Sequence, residues 1–165
     1  VGNCGYLNLH NTTGMGGISG QMFQGEYANT MDAKGRVSIP AAFRETLRQR
    51  YDSDCVVITR DYDGCIRVYP PREWERIVLS EVRNKPIDDE WVRAFERFVI
   101  SPATTCQPDK QGRILISQVL REHAKLDKKV IFAGGANHFE IWDAALREAK
   151  LTDDLNILKK GRRSA

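Results

Sequence analysis

A five-residue motif, Asp-x-x-Gly-Arg, occurs twice in this chain of 165 residues, at 32–36 and at 109–113. In both places an apolar triplet follows the arginine, and a short amphipathic helical pattern follows the triplet. Each copy then continues with an apolar strand, a glycine-containing turn, a second strand and an amphipathic helix. The sequence therefore predicts two β-β-α-β-β-α halves that are related by a pseudo-two-fold axis and share one core. Because short connections outnumber long crossovers, the pattern favours an α+β fold.

A separate helix is predicted between the two copies. Asp88–Asp89 would open it, and Trp91, Phe95, Phe98 and Val99 follow at the spacing of one buried stripe. The apolar residues that form the first helical pattern of each repeat are Phe43 and Leu47 in the first copy and Leu120 and Ala124 in the second.

The two ends differ from the repeats in composition. Residues 1–21 contain no charged side chain and no hydrophobic periodicity, so we expect a flexible segment. Met22 resembles a natural start, and one interpretation is that the preceding segment was added to the native chain. At the other end, KKGRRSA predicts a flexible basic tail. The expected domain limits are 22–91 for the first repeat with its connecting helix, 92–150 for the second repeat and 151–165 for the basic tail.

The net charge of +3 is unevenly distributed. Residues 159–163 supply four positive charges and residues 1–21 none, which leaves −1 for residues 22–158. Binding to nucleic acid would therefore require positive charge gathered on one face or multiplied by oligomerisation. No stretch approaches the roughly 20 apolar residues of a membrane span, so we expect a cytoplasmic protein.

The motif has a simple physical interpretation in the first copy. Gly35 can adopt the positive φ that a tight hairpin turn requires, and Asp32 can accept hydrogen bonds from turn N–H groups or pair with Arg36. Lys34 lies near the tip, where its charge stays solvated. The second copy repeats the arrangement with Asp109, Lys110, Gly112 and Arg113.

Two interpretations of the doubled motif stay open on these grounds. In one, the Asp–Arg pair only closes a hairpin, and duplication of the fold has duplicated a structural turn. In the other, two loops present two arginines and two lysines to nucleic acid. The guanidinium fork fits guanine edges or phosphate oxygens, and the lysine ammonium group suits phosphate. A carboxylate beside each arginine would then orient it.

Enzymatic and metal-binding functions have no pattern to support them. His10 falls in the first 21 residues, His123 lies beside Glu122 on a predicted solvated helix face, and His138 lies in a turn before a strand. The four cysteines form no Cys-x-x-Cys pair, and there is neither a Walker-type glycine loop nor an H-E-x-x-H pattern. We therefore expect no enzyme, no cofactor, no metal site and no small-molecule substrate.

Five stretches of the chain resemble the MraZ family. They are Met22-Phe23-x-Gly25, MDAKGRVSIP, YDGCIRVYPPREW, DKQGRILI and ANHFEIW. The resemblance implies two tandem repeats related to the AbrB and MazE swapped-hairpin barrels, forming a pseudo-two-fold double-split β-barrel. The second copy departs from the family pattern at Ser117, where a proline is usual and where Pro40 stands in the first copy. Ser117 could instead cap its helix.

The same resemblance implies a sequence-specific, DNA-binding regulator of transcription that acts on short direct repeats upstream of the division and cell-wall gene cluster. It also implies a homo-oligomeric ring of roughly eight or more subunits, associated with the nucleoid and without a membrane partner. The DNA-binding residues carried over from the family motif are Asp32, Lys34, Arg36, Asp109, Lys110 and Arg113. The alternative is an antitoxin-like, protein-binding module of the MazE type.

Overall fold

The computed structural model describes residues 22–83 and 85–161, and the expectations for residues 1–21 and 162–165 lie outside this part. The strands are β1 (Glu26–Thr30), β2 (Arg36–Ser38), β3 (Val56–Arg60), β4 (Ile66–Tyr69), β5 (Thr104–Cys106), β6 (Arg113–Leu115), β7 (Lys129–Gly134) and β8 (Phe139–Asp143). The helices are α1 (Ala41–Tyr51), α2 (Pro71–Val82), α3 (Glu90–Phe95), α4 (Gln118–His123) and α5 (Ala144–Gly161). The predicted β-β-α-β-β-α order is confirmed in both copies, with α3 between them.

The strands are exchanged between the two repeats. The six-stranded antiparallel sheet has the order β1-β7-β8-β4-β3-β5, so the first strand of each repeat lies beside the third strand of the other. Exchanging each strand for its equivalent in the other repeat (β1 for β5, β3 for β7, β4 for β8) gives the same order read from the opposite end. The pseudo-two-fold axis therefore lies between β8 and β4. Strands β2 and β6 pair in a separate two-stranded sheet. The predicted α+β fold with two tandem, strand-swapped repeats is therefore confirmed.

The expectation that the two strands around the first motif pair with each other as a tight hairpin is wrong. Strands β1 and β2 flank the turn at 32–36, but they do not form a ladder with each other. Strand β1 joins the large sheet and β2 joins the small one. Local alternation predicts which face of a strand is buried, whereas the choice of neighbouring strand depends on tertiary packing.

The two repeats share one core. All of the repeat-equivalent pairs Val37/Ile114, Ile39/Ile116, Phe43/Leu120 and Leu47/Ala124 are at most 2% exposed. The ring of Phe43 lies 4.9 Å from that of Phe139, so the first helix of one repeat packs on the last strand of the other. Apolar residues of both repeats therefore form one core cluster.

The connecting helix differs in part from its predicted stripe. Asp89 caps α3 by accepting hydrogen bonds from two backbone N–H groups of the first turn. Phe95 and Val99 are buried as predicted, but Trp91 is 45% exposed. After α3 the chain forms one π-helical turn, Glu96–Ile100. The wider turn rotates the side chains that follow, so α-helical spacing no longer defines a single buried face.

Helix α5 continues beyond the predicted limit of the second repeat at residue 150. It extends to Gly161, through the stretch for which composition predicts a basic tail. Leu151, Leu155 and Leu158 recur at helical spacing on one face, and they are 43%, 51% and 67% exposed. Good helix formers thus extend the helix where a tail was expected. No helix in the described part of the chain is both long and apolar enough to cross a membrane.

Candidate nucleic-acid interface

One carboxylate closes the Asp-x-x-Gly-Arg turn of the first repeat. Oδ1 of Asp32 accepts hydrogen bonds from the backbone N–H groups of Lys34 and Arg36, both at 2.9 Å. Its Oδ2 accepts a hydrogen bond from Nε of Arg36 at 2.7 Å. Gly35, at a φ of 83°, donates its N–H to the Asp32 carbonyl oxygen at 3.0 Å. The five-residue spacing follows from what a single carboxylate can reach.

The second repeat builds the same turn. Oδ1 of Asp109 accepts from the backbone N–H groups of Gln111 and Arg113 at 2.9 Å, and Oδ2 accepts from Nε of Arg113 at 2.8 Å. Gly112 again has a positive φ, of 73°. In both repeats the arginine is engaged through Nε. Its terminal Nη groups have no hydrogen-bond partner among residues 22–83 and 85–161.

The turn environment keeps both aspartates ionised. The pKa of Asp32 is lowered chiefly by the backbone hydrogen bond from Arg36, against a smaller effect of desolvation, and further by the side-chain bond from the same arginine. The pKa of Asp109 is lowered in the same way by Arg113. Each carboxylate therefore faces its own turn and orients its arginine, and it offers no donor to an incoming anion.

The small sheet holds the two turns in a defined relationship. Val37 lies directly opposite Ile114, so the pseudo-two-fold axis passes between them. The backbone N–H groups of Ile39 and Ile116 donate to the glycine carbonyl oxygen of the opposite turn, both at 2.9 Å. One turn thus lies at each end of a three-residue ladder, which spans about 10 Å.

An arginine from the other repeat covers each turn. A Cβ atom built on Gly112 would lie 2.8 Å from the side chain of Arg44, which is on α1. Arg121, on α4, lies against Gly35 in the same way at 2.9 Å. The motif alone does not reveal these residues. The available signal is that each lies eight residues after the motif arginine.

The turns and their covering arginines gather positive charge on a nearly neutral body. We call this surface the loop face; it comprises residues 32–36 and 109–113 with Arg44 and Arg121. Its charged groups are Lys34, Arg36, Arg44, Lys110, Arg113 and Arg121, with Asp32 and Asp109 as the two carboxylates. Six cations and two anions give the face a net charge of +4, although residues 22–158 together carry −1.

The two histidines in the described part lie outside the loop face. Nε2 of His123 is 2.9 Å from the carbonyl oxygen of Asp61, and its ring meets the edge of Phe98 at 5.5 Å. Its predicted solvated position is therefore wrong. The ring of His138, in the turn before β8, packs on that of Tyr69 at 5.6 Å.

Comparison with known proteins identifies the repeat. A family model described as "MraZ protein, putative antitoxin-like" matches residues 22–98 and again residues 99–153. The chain belongs to the MraZ family. Proteins named transcriptional regulator MraZ from Ligilactobacillus salivarius, Carboxydothermus hydrogenoformans and a Thermoanaerobacter species are 47%, 43% and 43% identical to it. The matches cover 78%, 76% and 82% of this chain and 85%, 83% and 100% of those relatives.

The two segments matched by the MraZ family model are structurally interdependent because the repeats exchange strands. Each segment contains one Asp-x-x-Gly-Arg turn, but each turn is bonded to, and covered by, residues of the other segment. The segments meet inside the π-helical turn at 96–100, whereas the predicted limit at 91/92 falls within α3. A single MraZ repeat of this chain is therefore not a self-contained structural unit.

Proposed function

We propose that this protein is a sequence-specific, DNA-binding regulator of transcription that works at the nucleoid, and that the loop face is its DNA-binding surface. The observation that carries the proposal is the β2–β6 pairing, which holds two equivalent turns about 10 Å apart. That separation corresponds to roughly three base-pair steps. Each turn presents a guanidinium that its aspartate holds at Nε, which leaves two Nη groups for a guanine edge or a phosphate.

The loop-face residues take different tasks in this proposal. Arg36 and Arg113 contact base edges or phosphates, because their Nη groups have no hydrogen-bond partner in the described ranges and the aspartates set the planes of their guanidinium groups. Lys34 and Lys110, at exposed positions near the tips, suit backbone phosphates as point charges. The two aspartates act by orienting the arginines. The covering arginines add charge that is close to the turns and has no carboxylate partner in the described ranges.

We further propose that the regulator acts as a ring-shaped homo-oligomer of roughly eight or more copies on short direct repeats upstream of the division and cell-wall gene cluster. Apolar surface that the chain leaves uncovered supports self-assembly. None of the residues of α2, all of which are described, is buried, and Ile87 and Trp91 are 95% and 45% exposed. The acidic residues 88–90 and the basic end of α5 at 159–160 are complementary in charge, which suits head-to-tail contacts. Repeated loop faces would then bind repeated sites with avidity.

The family model's description as antitoxin-like favours a second candidate, a protein-binding module of the MazE type. In that case the exposed apolar side chains of α2 and α5 would contact a different protein. A tight, stoichiometric protein partner in a pull-down, together with no affinity for DNA, would favour this candidate.

Fluorescence anisotropy tests the proposed function directly. Duplexes that carry the direct repeats from upstream of the division and cell-wall genes should bind on the order of 10³-fold more tightly than shuffled duplexes of equal composition. Equal affinity for both duplexes would contradict sequence-specific recognition. Light scattering on the same samples tests assembly, and a monomeric mass at the binding concentration would contradict the ring.

A further inference from the structure

A second group of arginines lines a cavity outside the loop face. The cavity has a volume of about 350 Å³ and is lined by Arg60, Arg97, Ser101, Pro102, Ser117 and Val119. Neither Arg60 nor Arg97 forms an ion pair with any residue in the described ranges. Two guanidinium groups on one cavity repel each other, so an anion between them would relieve the repulsion.

Arg60 is held in place by aromatic packing. Its Cζ lies 5.6 Å from the centroid of the Phe98 ring, and that ring packs in turn on Tyr62 at 5.8 Å and His123 at 5.5 Å. Its Nε is enclosed and has no hydrogen-bond partner in the described part of the chain. Stacking therefore orients the guanidinium before any ligand arrives, which lowers the entropy lost on binding.

The π-helical turn at 96–100 supplies the other arginine. A π-helical turn is rare and is frequently found at functional sites. Here the hydroxyl of Thr59 donates a hydrogen bond to the carbonyl oxygen of Val99, which fastens the turn to the end of β3. The turn brings Arg97 to the cavity, and Ser101 follows it directly. Thus the irregular turn and the strand end bring both arginines to one cavity.

We propose that this cavity binds the phosphate group of a ligand between Arg60 and Arg97, with the hydroxyl groups of Ser101 and Ser117 as further donors. Its volume of about 350 Å³ lies at the lower end of the range for small-molecule sites. None of its residues belongs to the loop face, so it is a second anion site. The phosphate can come from a free phosphorylated molecule or from a DNA backbone, and these two sources are separable by experiment.

Equilibrium dialysis of the full chain against labelled inorganic phosphate, at constant ionic strength, tests the site. The wild type should bind one phosphate per chain saturably. Arg97→Gln should weaken that binding about tenfold, the scale of one charge-assisted hydrogen bond. Arg93→Gln is the matched control, because it makes the same change of charge at an exposed position one helical turn earlier and outside the cavity. It should leave phosphate binding unchanged.

Two further variants separate this site from folding and from the loop face. Arg60→Met keeps an apolar stem against Phe98, and it should weaken phosphate binding as Arg97→Gln does. The double variant Arg36→Gln/Arg113→Gln should retain phosphate binding. A further outcome is that a DNA duplex binds and inorganic phosphate does not. If Arg97→Gln weakens that DNA binding and Arg93→Gln does not, the cavity binds a phosphate of the DNA backbone, which supports the proposed site. Equal affinities of Arg97→Gln and Arg93→Gln for both titrants, or no saturable binding of either, would overturn the proposal.

Discussion

Arg67 of β4 and Glu140 of β8 are direct cross-strand partners at the pseudo-two-fold axis of the large sheet, with Nη2 and Oε1 3.3 Å apart. Each is the second residue of its strand, so the two positions are repeat-equivalent. In an exact duplication, like residues would face each other at this axis. Divergence has instead placed opposite charges there, and Asp61 and His138 lie beside the pair at 2.9 Å and 3.7 Å. The pair favours pairing of the two different halves over pairing of two identical ones.

Removing one member of the axial pair should destabilise the fold. Arg67→Met or Glu140→Met would leave a poorly solvated charge, because these side chains are 28% and 19% exposed. We expect each single variant to lower the free energy of unfolding by about 2 kcal/mol, less than for a fully buried pair. The double variant should lose less than the sum of the two single losses, although Asp61 then lacks Arg67 as its partner. Urea unfolding of all four proteins gives the coupling energy, and purely additive losses would contradict a direct interaction.

The same glutamate should make stability depend on pH in the acid range. Burial alone would raise the pKa of Glu140, but hydrogen bonds from His138 and Trp142 and the charge of Arg67 lower it from 4.5 to about 2. Because the pKa is lower in the folded state, the stabilisation is complete above about pH 4.5 and is lost as the pH falls towards 2. Glu140→Gln should therefore lose less unfolding free energy across this interval than the wild type does. Equal losses in the two proteins would show that another group is responsible.

Alanine substitutions at two glycines distinguish the effect of backbone strain from the effect of disturbing the contact with Arg44. Gly112 and Gly64 both have positive φ, at 73° and 83°, so alanine should lower the free energy of unfolding by about 1 kcal/mol at either position. A Cβ on Gly112 would meet Arg44 at 2.8 Å, whereas a Cβ on Gly64 would have no atom of the described residues within 4 Å. Gly112→Ala should therefore also weaken DNA binding about tenfold, as measured by anisotropy. If Gly64→Ala weakens DNA binding equally, the contact with Arg44 is not the cause.

Asp32→Asn distinguishes an orienting role for the aspartate from a simple charge effect. Removing a negative charge from the loop face should by itself strengthen attraction to DNA. The asparagine amide group, however, cannot accept at both of its polar atoms, so the turn N–H groups and Nε of Arg36 could not both be satisfied. We expect a net weakening of DNA affinity of about threefold to tenfold. Tighter binding by the variant would show that orientation of Arg36 is unimportant.

Features of the fold that depend on local sequence could be predicted. The motif spacing predicted the closure of both turns by aspartate, and Ser117 caps α4 through its hydrogen bond from Leu120 N–H at 3.4 Å. The positions of Phe43 and Leu47 in the core followed from helical periodicity. In each case the cause lies within a few residues along the chain.

Features that depend on tertiary pairing could not be predicted in this way. The exchange of β1 and β5 depends on which strands meet. The pairing of β2 with β6 does so too, and it accompanies the contact of Gly112 with Arg44, 68 residues away in sequence. The π-helical turn at 96–100 likewise has a tertiary partner, because Thr59 of β3 donates to its backbone. The opposed charges of Arg67 and Glu140 become meaningful only when β4 and β8 are known to be neighbours.

The salt dependence of DNA affinity for Arg36→Gln and Arg113→Gln tests the role of the loop face most directly. Arg48→Gln is the control, because Arg48 is an exposed cation on α1 whose ion pairs are with Glu45 and Asp54. We predict that each loop-face variant loses about tenfold or more in affinity and that the slope of log K against log salt falls by about one for each phosphate contact removed. The control should match the wild type. Unchanged affinity and unchanged slope in both loop-face variants would contradict DNA binding by the paired turns.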